Sequence, residues 1–528
     1  MRLDRVYIDG FKNLKGVDVD FDEHRLTTVV IGQNGSGKSN LIEAITDIFR
    51  FVDLGRAQPR FVYEIDYRIG SHKVRLTNRE GAPAIIVDGQ TLARTEFERN
   101  KASLFPDLVL GYYSGSSRRL EKLYDGHQRR YYDAIKLNDD EEECREALVD
   151  RRLFYCRPIH GIFALLSFFA FPDATVGRLL KEMLGVTEFH SALALFREPW
   201  FAKSRKKKTP LPSPQNLWAA QGPAGACARG LRDVAFHPLA LEDKPIDDYR
   251  DKGETEEQLA IFLRDMRALQ RFAGKYADSS EMFAALEAVD ISDLFRDLHV
   301  WVKRTNDQSG DVSFADLSDG ERQLLMVLGL IRLSRDKKVL FLLDEPDTHL
   351  NPVWQHAYLA LIREWTGIEG NASKCQFILT SHNPLTIAAL HKEEVRVMFT
   401  DQAGKVTVSA PYTHPRGMGF TATLTEIFGL SSSLDQETQR EVDERNNLAR
   451  LAQRSEEQEK KLIEMNDKLN RLGFMFEDRE PLYQDFLRAW HDVRYADRPP
   501  LSPKQIELRH KAMSELIKAL MQKKAAGS

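Results

Sequence analysis

The segment Gly32–Ser39 constrains the fold more than any other part of this chain, because its sequence is GQNGSGKS. It follows an apolar run, Leu26–Ile31, and precedes Leu41, Ile45 and Ile48, which recur at helical spacing. A G-x-x-x-x-G-K-[ST] octet between a strand and a helix is typical of a loop whose backbone N–H groups surround phosphate. The pattern predicts an α/β fold with a parallel sheet and a nucleotide site.

Two side chains of this octet have defined chemical roles in such a loop. The ammonium group of Lys38 neutralises charge on the β- and γ-phosphates, and the hydroxyl of Ser39 is positioned for Mg²⁺. A structural glycine turn is the simpler alternative, but the strand before the octet and the helix after it favour the nucleotide site.

A second apolar run, Val339–Leu343, ends in the acids Asp344 and Glu345. A carboxylate at the end of a buried strand can hold Mg²⁺ through water, and its neighbour can act as general base toward the attacking water. The alternative is that both acids only solvate the end of the strand. In a chain that also has a phosphate loop, we predict that Asp344 and Ser39 are metal ligands and that Glu345 is catalytic.

The 528 residues divide into four regions by composition and pattern. The strand-rich regions 1–118 and 291–432 contain the phosphate loop and the Asp–Glu pair. Between them, residues 119–290 have a helical and irregular pattern, and residues 433–528 are charged and helical. We therefore predict one ATPase-type head that is split by an inserted helical subdomain and followed by a C-terminal helical or coiled-coil region that binds a partner.

The C-terminal region contains an apolar seam with alternating spacing of three and four residues. Leu448, Leu451, Leu462 and further apolar residues up to Leu472 follow it, whereas Ser455 and Gln458 interrupt it. The pattern indicates either a short coiled coil that joins copies or partners, or a helical hairpin that packs within the chain.

Two further motifs identify the class of phosphate-loop protein that the chain resembles. The segment Leu317–Gln323 (LSDGERQ) resembles the ABC signature, and Ser381–Pro384 (SHNP) resembles the ABC switch-histidine loop. The opening segment Ile8–Leu14 (IDGFKNL), together with the long separation between Lys38 and Ser318, is similar to the SMC, RecF and OLD-type branch of the ABC ATPases.

This resemblance implies an ABC-type P-loop ATPase head, with an antiparallel β layer beside a mixed sheet, and ATP and Mg²⁺ as cofactors. It implies a homo-oligomer in which two heads sandwich ATP. Ser318 and Gly320 of one copy would act in trans on the ATP held by the other copy, and His382 would be catalytic beside Glu345. The nucleotide-binding residues that it implies are Lys12, Asn13, Asn34, Gly35, Ser36, Gly37, Lys38, Ser39 and Asn40.

The chain departs from the ABC pattern at two places. Asp319 stands where the signature usually has glycine, and it would bring an extra carboxylate close to a triphosphate, which could slow hydrolysis or require a compensating cation. The glutamine of a Q-loop is also missing after the predicted strand Leu108–Leu110, where Tyr113 or Ser114 could take its place.

The segment Leu472–Tyr483 resembles the C-terminal region of PtuA-type ATPases from Septu and retron anti-phage systems. That resemblance implies an oligomeric ATPase that holds and regulates a separate HNH nuclease of the PtuB type. No D-x-D motif follows His382, so we expect no TOPRIM nuclease within the chain. The alternatives are a PARIS-type ATPase that sequesters a separate TOPRIM nuclease, and a DNA-clamping repair ATPase of the RecF or SMC kind.

Composition limits the possible partners further. With 75 Lys and Arg against 79 Asp and Glu, the net charge of −4 excludes a uniformly basic nucleic-acid coat protein. Non-specific DNA contact could involve local basic patches at Lys203–Lys208 or at Arg118, Arg119, Arg129 and Arg130, although a solvated surface without DNA contact is the favoured explanation. The most apolar run, Gly161–Phe171, is too short to cross a membrane. We expect a cytoplasmic protein without membrane contact.

Overall fold

The computed structural model describes most of the chain. The described ranges are 1–199 without 23, 212–243, 255–366, 374–430, 432, 434–451, 453–472, 474, 502, 504–505, 507–512 and 514–515. The basic loop Lys203–Lys208 lies outside them, and so does most of the segment Leu472–Tyr483 that resembles PtuA-type ATPases. The interpretations of both segments therefore stay predictions.

A seven-stranded sheet forms the centre of the fold. Its strands are β3 (Thr27–Gly32), β8 (Leu108–Tyr113), β9 (Leu153–Tyr155), β15 (Val339–Asp344), β16 (Cys375–Thr380), β17 (Val395–Thr400) and β18 (Val406–Ser409). Their order is β18-β17-β3-β16-β15-β8-β9, and all neighbours are parallel except β17 and β18. The continuous apolar runs of β3, β15 and β16 suit strands that are covered on both faces, and their C-terminal ends meet at one edge.

Helices cover and connect the sheets. In chain order they are α1 (Lys38–Leu54), α2 (Arg94–Arg99), α3 (Lys101–Leu104), α4 (Glu121–Ile135), α5 (Glu141–Val149), α6 (Ile159–Ala170), α7 (Ala174–Leu184), α8 (Gly222–Val234), α9 (Met266–Ala273), α10 (Ser279–Ile291), α11 (Asp319–Leu333), α12 (Pro352–Thr366), α13 (Pro384–Ile387), α14 (Phe420–Glu426), α15 (Gln436–Arg450) and α16 (Glu456–Arg471). The very apolar α6 packs closely on α11, because a Cβ at Gly329 would lie 2.7 Å from the Cβ of Ala164. None of the helices in the described ranges combines the length and apolar character that a membrane crossing needs.

An antiparallel sheet of six strands lies beside the central sheet, as the resemblance implied. Its strands are β1 (Arg2–Asp9), β2 (Val17–Asp20), β4 (Val62–Ile69), β5 (His72–Thr77), β6 (Ala84–Val87) and β7 (Gln90–Leu92). Ile8 of this sheet, Ile45 of α1 and Leu340 of the central sheet are fully buried in one apolar cluster. The helix that begins at the phosphate loop is therefore held between two sheets, which fixes the position of its N-terminus.

The inserted region contains strands as well as helices. A third, five-stranded antiparallel sheet has the order β11-β12-β10-β13-β14. Its strands are β10 (Val186–Arg197), β11 (Leu239–Asp243), β12 (Glu256–Leu263), β13 (Phe295–Arg304) and β14 (Asp307–Ser313). The helical and irregular pattern of 119–290 did not predict β9 to β12, because β9 is only three residues long and register shifts break the alternation of β10. Since β13 and β14 follow residue 290, this sheet crosses the predicted boundary between the insertion and the C-terminal half of the head.

The seam of the C-terminal region belongs to a helical hairpin rather than to one continuous coiled-coil helix. Helix α15 ends at Arg450, and α16 starts after Ser455, whose side chain accepts a hydrogen bond from the backbone N–H of Gln458. The two polar residues that interrupt the apolar spacing therefore form a capping box that begins a new helix. Leu462 and Leu469 are the buried members of the seam on α16.

A buried carboxylate joins the end of α1 to the inserted region. The side chain of Asp53 is fully buried and accepts from His127 Nε2 at 2.7 Å, and it forms ion pairs with Lys101 at 2.9 Å and Arg130 at 3.2 Å. Burial alone would raise the pKa of Asp53, but the hydrogen bond from His127 and the charge of Lys101 lower it to about 2. The ionised carboxylate therefore stabilises the contact between α1, α3 and α4.

We expect Asp53→Asn to destabilise the fold by about 3 kcal/mol, because it removes the buried negative charge that Lys101, Arg130 and the ring of His127 contact. Since the pKa of Asp53 is lower in the folded chain than in the unfolded one, this stabilisation is present above about pH 4 and is lost as the pH falls toward 2. Urea unfolding measured from pH 7 down to pH 3 would test both statements. Asp18→Asn, which breaks the exposed pair with Arg5, is the matched control and should cost less than about 1 kcal/mol. Equal stability of the two variants at pH 7 would contradict the prediction.

Candidate nucleotide site

The loop between β3 and α1 has a backbone that only glycine adopts readily. Gly35 and Gly37 have φ angles of 81° and 100°. At Gly32, a Cβ would lie 2.3 Å from the carbonyl oxygen of Met398. Helix α1 has no acidic residue in its first turn, so its N-terminal N–H groups and dipole are available to an anion. The loop and helix start therefore fit a phosphate chain.

Lys38 lies inside this loop and is 5% exposed. Its Nζ donates to the carbonyl oxygens of Gly32 at 2.9 Å and Gln33 at 3.1 Å. Burial lowers the pKa of Lys38 to about 8, although Glu345 and Asp344 oppose that shift. A polyphosphate beside this ammonium group would supply further negative charge and raise the pKa again.

Ser39 and Asp344 lie close together at the start of α1 and the end of β15. Ser39 Oγ donates to Asp344 Oδ1 at 3.1 Å, and Thr380 Oγ1 at the end of β16 donates to the same oxygen at 2.6 Å. Asp344 is 2% exposed, and burial raises its pKa against the effect of these hydrogen bonds. A hydroxyl and a carboxylate oxygen are hard donors, so this pair fits Mg²⁺.

Glu345 and His382 continue the site on the other side of Lys38. Glu345 has a φ of 54°, a strained value for a residue with a side chain, and its N–H donates to Thr380 Oγ1 at 3.0 Å. His382 Nε2 lies 2.8 Å from Glu345 Oε1, and the hydrogen bond between them lowers the pKa of Glu345. His382 Nδ1 lies 3.4 Å from Lys38 Nζ. Because an ammonium group can only donate, Nδ1 accepts and Nε2 carries the proton toward Glu345.

The predicted residues outside the octet hold the loop from its outer side. Asn13 Nδ2 donates to the carbonyl oxygen of Gly35 at 2.9 Å, and Asn40 Nδ2 donates to Asn13 Oδ1 at 2.7 Å. Lys12 Nζ donates to Asn40 Oδ1 at 3.3 Å and also pairs with Glu43. Asn13 thus contacts the loop itself, Asn40 holds Asn13, and Lys12 contacts Asn40 and Glu43 on α1.

Asn34 and Ser36 of the octet differ in exposure. Asn34 is exposed, whereas Ser36 is 1% exposed and its Oγ has no hydrogen-bond partner in the described part of the chain. A buried hydroxyl with an unused hydrogen-bonding capacity in a phosphate loop can serve a bound ligand.

The signature motif begins α11. Ser318 is exposed and forms a capping box with Glu321, and within the described residues no hydrogen bond or ion pair joins Ser318 or Gly320 to Lys38. Glycine is needed at position 320 because a Cβ there would lie 2.5 Å from the carbonyl oxygen of His349. The extra carboxylate of Asp319 is 70% exposed and pairs with Arg322 at 2.5 Å, so the chain itself provides a compensating cation.

The segment after Glu345 links the signature helix to the switch-histidine loop. Gln323 Nε2 on α11 donates to the carbonyl oxygen of Pro346 at 2.7 Å. The buried carboxylate of Asp347 accepts from Ser381 Oγ at 2.6 Å and from Thr386 Oγ1. This turn is therefore attached to both motifs, and a movement of either motif would reach the base candidate Glu345.

Sequence reasoning missed two residues that belong to the site. Glu43 lies among the buried residues of α1, and an acid among apolar residues requires a paired cation, which was the available signal. Its partners are Lys12 and Arg119, the second missed residue, and Arg119 Nη2 also lies 3.6 Å from Asp344 Oδ2.

At the place of a Q-loop glutamine, Ser114 donates its N–H to the carbonyl oxygen of Asp344 at 3.2 Å.

The second predicted basic patch is not a group of unpaired cations. Arg118 pairs with Glu121 at 2.7 Å, Arg129 with Asp133 at 3.8 Å and Arg130 with Asp53 at 3.2 Å, and Arg119 faces the site. These carboxylates neutralise the charge that phosphate contacts would need.

Two family models match the chain. The one described as "AAA ATPase domain" covers residues 1–143, which include the phosphate loop. The one described as "AAA domain, putative AbiEii toxin, Type IV TA system" covers residues 197–388, which include the signature motif, Asp344, Glu345 and His382.

Two curated proteins are similar to short stretches of the chain. Septu protein PtuA from Bacillus mycoides (strain KBAB4) is 29% identical over 128 residues, which cover 22% of this chain and 17% of PtuA. The DNA replication and repair protein RecF from Lactobacillus acidophilus (strain ATCC 700396 / NCK56 / N2 / NCFM) is 49% identical over 45 residues, which cover 8% of this chain and 12% of RecF. The chain therefore matches less than a fifth of the length of either relative.

Similar solved structures include the SMC head domain from Thermotoga maritima, with 14% identity and a TM-score of 0.31 over 78% of this chain and 99% of that chain. The recombination mediator protein RecF-ATP of the RecFOR pathway has 14% identity and a TM-score of 0.25 over 72% of this chain and 92% of that chain. Because these TM-scores are low, the fold assignment depends on the strand order and the phosphate loop of this chain itself.

The parallel central sheet with its antiparallel layer and its phosphate loop has the fold of an ABC-type P-loop ATPase head, and two ATPase family models match separate parts of the chain. Over a stretch of 128 residues, the chain is related to Septu protein PtuA.

The lowered pKa of Lys38 predicts a pH dependence of nucleotide binding. Only the ammonium form attracts phosphate, so for a pKa of about 8 the affinity for ATP should fall about tenfold between pH 7 and pH 9. Equilibrium titration with a fluorescent ATP analogue at several pH values would measure it. Lys38→Arg keeps its charge throughout this range and should show less than about a twofold change. An affinity of the unmodified protein that is flat from pH 7 to pH 9 would contradict the prediction.

Proposed function

We propose that the chain binds and hydrolyses ATP at this site with Mg²⁺. The observation that carries the proposal is the continuous contact Lys38–His382–Glu345 beside the Ser39–Asp344 pair. These contacts bring a phosphate-binding cation, a carboxylate base and a hard metal-ligand pair to one edge of the central sheet.

Each side chain has a distinct task in this proposal. The loop and Lys38 bind the β- and γ-phosphates, and Glu345 accepts the proton of the attacking water. The Nε2 proton of His382 orients the Glu345 carboxylate, and the low pKa of Glu345 keeps this base ionised at neutral pH. Ser39 and Asp344 would hold Mg²⁺, which neutralises charge on the phosphates when it is bound.

We further propose that two heads sandwich ATP, with Ser318 and Gly320 of one copy facing the nucleotide of the other. Ser318 is exposed at the N-terminus of α11, a fifteen-residue helix whose dipole favours an anion. The capping box with Glu321 places a carboxylate at the same point, so binding of a γ-phosphate there requires the side chain of Glu321 to turn toward Arg304, its other partner at 2.6 Å.

Glu345→Gln should retain ATP binding, lower hydrolysis at least about 100-fold and accumulate head dimers, because the amide cannot accept the proton of water. Steady-state phosphate release and sedimentation with ATP would measure these effects. Lys38→Ala should lose ATP binding itself. Asp336→Asn, at an exposed carboxylate before β15, is the matched control and should behave like the unmodified protein. Normal turnover in Glu345→Gln would exclude Glu345 as the base.

We also propose that the protein is the ATPase subunit of a prokaryotic anti-phage defence complex, in which PtuA-like oligomers hold and regulate a separate HNH nuclease. The similarity to PtuA supports this proposal. In it, 1–118 and 291–432 form the head, 119–290 is the insertion and 433–528 binds the partner. A cytoplasmic location is part of the proposal, and the four buried, unpaired cysteines fit a reducing compartment.

Exposed apolar side chains on the C-terminal hairpin support its role as the partner-binding region. Leu451 is 41% exposed, Ile463 is 56% exposed and Leu472 is 59% exposed. Apolar side chains that stay exposed on a charged helical pair are typical of surfaces that another protein covers.

The alternatives are a PARIS-type ATPase that sequesters a TOPRIM nuclease and a DNA-clamping repair ATPase. The short match to RecF favours the repair alternative over the PARIS-type alternative. ATP hydrolysis stimulated by DNA in the absence of any protein partner would support it, and this stimulation should decline with added salt.

Truncation after residue 432 should release the nuclease while ATP binding is retained, because the phosphate loop and Asp344 lie in the head. Co-purification of the nuclease encoded by the adjacent gene with the full and the truncated chain would test this prediction. The identity of that nuclease, HNH or TOPRIM, distinguishes the two defence alternatives. Equal recovery of the nuclease with both chains would show that the C-terminal region is not its binding site.

A further inference from the structure

Arg119 lies at the edge of the site between two buried carboxylates from different parts of the chain. Its Nε is 3.0 Å from Glu43 Oε1 on α1, and its Nη2 is 3.6 Å from Asp344 Oδ2 at the end of β15. The guanidinium group also covers the ring of Tyr113, with 5.1 Å to the ring centroid. Arg119 therefore has a defined place beside the candidate metal ligand.

The two oxygens of Asp344 have different partners. Oδ1 accepts from the hydroxyls of Ser39 and Thr380, whereas Oδ2 faces Arg119. Because Asp344 is 2% exposed, its negative charge requires a nearby cation. Arg119 provides that positive charge on the Oδ2 side.

A guanidinium group and Mg²⁺ cannot both be close to this carboxylate without strong repulsion. Two positive charges on Mg²⁺ and one on Arg119 would lie within a few ångströms in a partly buried site, where screening by water is incomplete. Glu43, which is 6% exposed, offers Arg119 a second carboxylate that does not depend on Asp344. Arg119 can therefore leave Asp344 and stay at the edge of the site.

The position of Arg119 in the chain connects this exchange to the inserted region. Ser114 directly follows β8, and its N–H donates to the carbonyl oxygen of Asp344 at 3.2 Å. Arg119 ends this connecting segment and comes directly before Leu120, the N-cap residue of α4. A displacement of the guanidinium group therefore acts on the first helix of the insertion.

We propose that Arg119 is a positioning residue that neutralises Asp344 from its Oδ2 side and so competes by charge with Mg²⁺ at the Ser39–Asp344 Oδ1 pair, which makes the binding of Mg²⁺ and nucleotide dependent on the position of the inserted region. This inference rests on the proposed ATPase function. It assigns a task to Arg119 in the segment that follows Ser114, which stands where a Q-loop glutamine is missing.

The test is a Mg²⁺ titration of the binding of a fluorescent ATP analogue, with no hydrolysis measured. Arg119→Ala should reach half-maximal binding at a Mg²⁺ concentration about threefold to tenfold lower than the unmodified protein, because the competing charge is gone. Arg119→Lys keeps a cation and should lie between the two. Arg118→Ala removes the same charge from the neighbouring residue, whose partner is Glu121, and should match the unmodified protein.

An unchanged or higher Mg²⁺ midpoint in Arg119→Ala would overturn the inference, and so would an equal shift in Arg118→Ala. Thermal unfolding of each variant shows whether it is folded, and if Arg119→Ala is not folded the comparison of Arg119→Lys with Arg118→Ala decides the question. Failure of the unmodified protein to bind the analogue in a manner that Lys38→Ala abolishes would instead contradict the proposed ATPase function.

Discussion

The hydrogen bonds of Asp344 hold together the elements on which the rest of the structure depends. Its carboxylate accepts from Ser39, which is 305 positions away on α1, and from Thr380, which is 36 positions away on β16. These contacts close the edge of the central sheet where β3, β15 and β16 end. Ser39 precedes the predicted insertion in the chain and Asp344 follows it. The phosphate loop and the candidate base therefore come together only if the chain segments on both sides of the insertion have folded onto one sheet.

Buried acids with paired cations recur at the boundaries between these parts. Asp53 joins α1 to α4 through His127 and Arg130, and Asp344 with Arg119 joins β15 to the segment before α4. Because a buried charge is costly without its partner, such pairs specify how the head and the insertion fit together.

Much of the head could be predicted from local pattern, and so could the helices of the other two regions, whereas the strands of the insertion and the helix boundary within the tail could not. The strands β3, β15 and β16 follow from mostly apolar runs, which are typical of buried parallel strands, and β17 follows from Val395–Phe399, which is apolar except for Arg396. Strand β10 escaped prediction because its register shifts remove the period of two. Ser455 and Gln458 interrupt the apolar spacing of the C-terminal region in the sequence. Only the position of the helix boundary shows that these two residues cap the start of α16.

The sequence by itself determined the fold class of the head and the candidate residues for phosphate chemistry. The octet Gly32–Ser39 and the Asp344–Glu345 pair are short motifs, and their chemistry depends on residues that are adjacent in the chain. The tertiary structure alone decided which side chains complete the site. Glu43, Arg119 and Thr380 reach Asp344 or its neighbours from distant positions, and Glu345 adopts its strained backbone beside them. Such pairings arise from the folding of separate segments onto one sheet, and no local pattern of residues contains that information.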